Sequence, residues 1–109
     1  MDWFEVIHLR SRSAKERDEA LSAFQDLLPP NRDAMLEKIA LFQNHHIESD
    51  LTIYILWRSR AVEAEKSPLG LQLAAAFSEF GRISHTAWTH AASIHSHYRR
   101  PVDEDSQPM

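Results

Sequence analysis

Leu51-Thr52-Ile53-Tyr54-Ile55-Leu56-Trp57-Arg58 decides the fold. β-branched and aromatic side chains crowd this stretch, and they fit a pleated sheet better than a helix. Successive strand residues point to opposite faces. Leu51, Ile53, Ile55 and Trp57 therefore make one wholly apolar face, while Thr52, Tyr54, Leu56 and Arg58 make a mixed one. Just upstream, residues 46–50 are short and polar and read as a hairpin connection. They lack Asn-Gly, so the turn type is open. Before them, residues 37–46 alternate, with Ile39, Leu41 and Gln43 against Ala40, Phe42 and Asn44. This is a second strand.

Residues 3–10 form another alternating segment. Phe4, Val6 and His8 take one side, and Trp3, Glu5, Ile7 and Leu9 take the other. Between it and the hairpin lies a helix. Ser13-Ala14-Lys15-Glu16 fits a capping box, with Ser13 as N-cap and Glu16 reaching back. Ala20, Leu21, Phe24, Leu27 and Leu28 follow at helical spacing, and Pro29-Pro30 stops the run. Residues 31–34 read as a loop, and the charged residues 60–66 as a loop or a single helical turn. A second helix opens with Ser67 as N-cap and Pro68 at the first turn, where its missing N–H costs nothing. Leu69, Leu73, Ala76, Phe77 and Phe80 line its stripe, and Gly81 stands where a left-handed C′ residue belongs. Residues 83–90 read as a fourth strand, with Ile83, His85 and Ala87 against Ser84, Thr86, Trp88 and His90. Residues 91–98 carry no definite pattern. The acidic, proline-containing segment 99–109 is expected to be a disordered tail after a single domain over 1–98.

Strand–helix–strand–strand–helix–strand is the order of an α+β, ferredoxin-like βαββαβ fold with a four-stranded antiparallel sheet. Right-handed crossovers put both helices on one sheet face. The first and third strands nevertheless carry large apolar groups on both faces. A lone copy would leave a sizeable apolar patch in water. A homodimer joined through the sheet face removes it, at roughly 25 cal/mol per Å² of apolar area. The alternative cover is the segment around Ile94 and Tyr98.

Composition narrows the function. The chain has 109 residues, is 43% hydrophobic and carries a net charge of −4 with scattered basic residues. No positive field is available to collect phosphates, so neither nucleic acid nor an anionic membrane surface is the expected partner. No apolar run reaches the roughly 20 residues of a membrane helix, and the N-terminus has no signal-peptide pattern. There is no cysteine, which removes thiolate metal sites and Cys nucleophiles. A cytoplasmic location is the expectation. Gly-x-Ser-x-Gly, phosphate-binding glycine loops and His-Glu-x-x-His are all missing from the sequence.

The element order with Asp50-Leu-Thr-Ile-Tyr-Ile-Leu-Trp57 as third strand resembles the dimeric α+β barrel proteins. Ser67-Pro-Leu-Gly70 and Gly81-Arg-Ile-Ser-His-Thr-Ala-Trp88 extend the likeness to antibiotic-biosynthesis-monooxygenase-like (ABM) domains over residues 3–90. The resemblance implies a dimeric barrel and a pocket between the sheet and the helices of each subunit. It also implies activities ranging from cofactor-independent oxygenation of aromatic polyketides to haem degradation. The haem-degrading members place a His and a Trp on helical segments after the third strand. No His or Trp lies between Arg58 and Gly81 here, so haem degradation is disfavoured and no cofactor is expected.

Seven histidines stand out. If residues 3–10 pair with 82–90 about their centres, His8 falls opposite Ser84 or His85. His8 and His85 could then share a face and move a proton or bind a metal. A one-residue slip separates them, and two independently bonded histidines are the commoner arrangement. His45-His46 reads as a strand end whose side chains diverge, and His95-Ser-His97 as a polar tail. Asn44, Tyr54, Trp57 and Trp88 are pocket candidates for a planar organic ligand, although Trp57 shares the apolar face and Tyr54 could face a dimer partner. Arg58 could meet a ligand carboxylate or form a rim salt bridge. The resulting expectation is a small-molecule-binding dimer or cofactor-independent monooxygenase, with His8 and His85 as proton-transfer candidates. The alternative is a non-enzymatic dimeric sensor or interaction module.

Overall fold

The computed structural model describes residues 3–27, 34–58 and 66–96. Strand β1 (Trp3–Ser11) is followed by helix α1 (Ala14–Gln25), the hairpin β2 (Leu36–Gln43) and β3 (Asp50–Trp57), helix α2 (Pro68–Phe77), and strand β4 (Gly81–Thr89). The antiparallel sheet has the order β2-β3-β1-β4. This is the ferredoxin-like arrangement expected from the alternation of elements.

Local chemistry sets the helix ends. Ser13 Oγ accepts the Glu16 N–H at 3.1 Å, as the capping motif requires. The Glu16 carboxylate instead takes the Arg12 guanidinium at 3.0 Å. α1 ends before the two prolines, where the Leu27 N–H bonds Phe24 O in a tighter turn. Ser67 Oγ accepts the Gly70 N–H at 2.9 Å, and Pro68 opens α2 as expected. Of the expected α2 stripe, Leu73 and Phe77 are buried while Ala76 faces solvent.

Two boundaries differ from the sequence reading. Gly81 is not a left-handed cap: its φ of 164° and ψ of −161° are extended, and it begins β4 after a 3₁₀ turn at Ser78–Phe80. A glycine is still required there, because a Cβ would lie 2.1 Å from Arg10 O on the neighbouring strand. β2 stops at Gln43, short of residue 46, because Asn44 Oδ1 accepts the His46 and Ile47 N–H groups, each at 2.8 Å. This side-chain turn competes with the ladder. His45 and His46 consequently do not diverge across a strand; their rings meet edge to face at 4.9 Å. The expectations for residues 28–33, 60–65 and 97–109 lie outside the described residues.

The core lies between the sheet and the helices. Ile7, Leu9, Leu51, Ile53, Ile55 and Trp57 pack there against Ala20, Leu73 and Phe77. Among the described residues nothing covers the opposite sheet face. Its cross-strand rows run Lys38–Leu56–Phe4–Trp88, then Ala40–Tyr54–Val6–Thr86, then Phe42–Thr52–His8–Ser84. Phe42 and Trp88 are more than half exposed. The fully exposed Ile94 does not cover this face.

Candidate functional site

The open face carries a groove of about 490 Å³ along β2 and β3, within the range of small-molecule sites. Phe4, Phe42 and Tyr54 build its walls. The Tyr54 ring lies 5.8 Å from Phe4 and 5.3 Å, edge on, from Phe42. Alternation puts these side chains on one face, and the pairing register brings them together. Lys38 stands toward one end, with Asn44, His8 and Asp50 toward the other. Three sequence candidates, His8, Asn44 and Tyr54, thus line one cavity. Trp88 lies beside it, stacked on Phe4 at 6.5 Å.

The polar end is preorganised. Arg10 donates to both Asp50 oxygens, at 2.9 and 3.3 Å. Hydrogen bonding to Arg10 holds the Asp50 carboxyl below the usual aspartate range, against the opposing effect of burial. His8 Nε2 lies 3.8 Å from Asp50 Oδ2. That distance suits an ion pair with a protonated imidazole and is too long for a hydrogen bond. A proton taken by His8 would therefore meet a carboxylate already ionised.

His8 and His85 do not share a face, in keeping with the commoner of the two arrangements the sequence allows. The register pairs His8 with Ser84 and Ile7 with His85, so the two histidines point to opposite faces. Trp57 is also off the groove: it is buried in the core and stacks on Trp3 at 5.6 Å. His90 Nε2 meets Ser93 Oγ at 2.6 Å.

On the helix face a second polar centre forms around Glu5, which is completely buried. Its carboxylate accepts Trp57 Nε1–H at 2.8 Å, the Ser67 N–H at 3.1 Å and the Ser67 hydroxyl at 2.5 Å. His85 Nε2 lies 2.8 Å from Glu5 Oε1. Sequence reasoning passed over Glu5. The available signal was a lone acid among Trp3, Ile7 and Leu9 on an inward-facing side. Among the described residues no group of three or more metal-ligating side chains converges, and no helix is long and apolar enough to cross a membrane.

No protein-family model and no curated protein matches the sequence. Solved structures do match in shape. The ActVA-Orf6 monooxygenase of Streptomyces coelicolor, solved with nanaomycin D, superposes with a TM-score of 0.62 at 12% identity, over 87% of this chain and 92% of that one. A dimeric ferredoxin-like protein from an uncultured marine organism gives 0.61 at 9% identity, with the same two coverages. SnoaB, a cofactor-independent oxygenase from Streptomyces nogalater, gives 0.55 at 16% identity, over 85% and 96%. Identities this low establish shape and leave activity open. The chain has the ferredoxin-like α+β fold that these solved structures share.

Proposed function

We propose that this protein is a homodimer that binds a planar organic ligand in the aromatic groove of its open sheet face and oxygenates it without a cofactor. The observation that carries the reading is an aromatic-walled groove ending on a histidine backed by an ionised, arginine-held aspartate. A second copy laid on this face would cover Phe4, Phe42, Tyr54 and Trp88 and close the mouth of the groove against water. The same-fold monooxygenases support the reaction class, and the dimeric ferredoxin-like neighbour supports self-association.

In this reading an acidic C–H or phenolic O–H of the ligand gives its proton to His8, and Asp50 stabilises the imidazolium. The ligand anion then passes its electrons to dioxygen. In net terms a methylene and dioxygen become a carbonyl and water, so every electron lost by carbon is taken up by oxygen. The protein supplies a base and a partly dry cavity. Tyr54 and Asn44 orient the ligand.

Dioxygen uptake in the presence of an anthrone tests the reaction. His8→Gln is expected to lower the rate on the order of 10²-fold or more, while binding of a hydroxynaphthoquinone, followed by quenching of tryptophan fluorescence, persists. Uptake no faster than in buffer would remove the oxygenase reading, and equal catalysed uptake by native protein and His8→Gln would remove His8 as its base. Absence of quinone binding would remove the groove as a ligand site.

A further inference from the structure

One cation stands in the groove without a counter-charge. The charged or basic groups of its lining are His8, Asp50 and Lys38. Asp50 is committed to Arg10, 2.9 Å away, and lies beside His8 at the polar end. Lys38 stands at the other end, and among the described residues it makes no ion pair. The pairing register sets the separation. Lys38 is opposite Leu56 and His8 is opposite Thr52, so the two rows are about 14 Å apart along β3. Phe4, Ala40, Phe42 and Tyr54 wall the space between them.

A β-bulge ends that wall at Lys38. Pairing of β2 with β3 is regular from Gln43 back to Lys38, then skips Glu37, so that Leu36 is opposite Trp57. Unbroken alternation would put Leu36 beside Lys38 on the open face. The extra residue turns Leu36 to the other side, where it packs against the core. The apolar surface therefore stops at an ammonium group.

We propose that Lys38 is a specificity-determining residue and that the ligand of the groove is a planar aromatic acid. The inference rests on the reading of the groove as a ligand site. The acid lies lengthwise, with its carboxylate on the Lys38 ammonium and its ring system against Phe4 and Tyr54. Anchoring one end decides which atom reaches His8: the acidic C–H or O–H belongs to the end remote from the carboxylate. Discrimination comes from both sides of the comparison. A carboxylate gains a charge-assisted bond in surroundings less polar than water. A neutral ligand of the same shape leaves the ammonium covered and unpaired, which costs binding. A lysine on an edge strand also deters pairing with a further chain, but that role alone predicts no preference between ligands.

Anthraquinone-2-carboxylate and anthraquinone-2-carboxamide share a shape and differ in charge at neutral pH. Binding to native protein, followed by quenching of tryptophan fluorescence, should favour the carboxylate by roughly tenfold. Lys38→Met keeps an unbranched apolar stem and removes the charge. It should bring the two affinities together by weakening the carboxylate alone. Lys15→Met, on α1 and outside the groove, should leave the preference intact. Equal native affinities, or a preference that survives Lys38→Met, would overturn the proposal and leave the groove as a ligand site. Failure of both probes to bind would remove the groove itself, and the proposal with it.

Discussion

Ser67→Ala and Ser13→Ala remove the same side chain from the same position, the N-cap of a helix, and should differ in cost. Ser13 is exposed and only caps, accepting the Glu16 N–H at 3.1 Å. Its loss should cost about 1 kcal/mol. Ser67 caps α2 in the same way but also donates to the fully buried Glu5 carboxylate. Losing a hydrogen bond to a charged group adds about 1.5–3 kcal/mol, because the carboxylate cannot turn to water for a replacement. Ser67→Ala should therefore cost about 2.5–4 kcal/mol. At about 4–8 °C per kcal/mol for a domain of this size class, the melting temperature should fall by at least about 10 °C. Urea unfolding at one fixed protein concentration is the assay, since self-association would make stability concentration-dependent. Equal costs for the two variants, to within about 0.5 kcal/mol, would refute the claim that Glu5 draws α2 onto the sheet through Ser67.

Gly70→Ala should be strongly destabilising, because a Cβ there would fall 2.0 Å from Glu5 Oε1 and 2.9 Å from His85 Nε2, although the same change in an ordinary helix interior stabilises by about 1 kcal/mol; a urea midpoint that rises would contradict the close approach of α2 to Glu5 and His85. Gly81→Ala should likewise lower the midpoint, because the added methyl meets the backbone of Arg10. Asp50 is held below its usual range by Arg10, so its contribution is present above the unfolded aspartate value of about 3.9 and is lost as pH falls through the lower folded value. Glu16, held low by hydrogen bonding to Arg12, acts in the same direction. Unfolding midpoints measured below about pH 5 should therefore fall with acid, and Arg10→Gln should flatten that slope; an unchanged slope would discount the Arg10–Asp50 pair.

The fold was largely legible because its signals are local. Alternation in residues 3–10 and 51–58 determines which side chains share a face, and Ser67-Pro68 marks a helix start whatever the tertiary surroundings. What failed depends on distant parts of the chain. His8 and His85 were each correctly placed on strands, but their separation follows from the register, which pairs His8 with Ser84 and is not written in either strand alone. The position of Gly81 after a helical stripe points to a helix cap, whereas its requirement comes from Arg10 O on another strand. Glu5 went unrecognised because its four contacts come from Trp57, Ser67 and His85, at least 52 residues away in sequence. The groove follows the same logic: His8, Asn44 and Tyr54 stand out in the sequence by residue type alone, and only the pairing of β1, β2 and β3 unites them.

The central claim is that the open sheet face is closed by a second copy, and sedimentation of native protein and Tyr54→Asp at micromolar concentration tests it most directly. Tyr54 sits between Val6 and Ala40 on that face and outside the helix-side core. The substitution should leave circular dichroism intact while placing a charge in the contact. The prediction is a native dimer and a folded Tyr54→Asp monomer. A native monomer, or a dimer that Tyr54→Asp leaves whole, would contradict it.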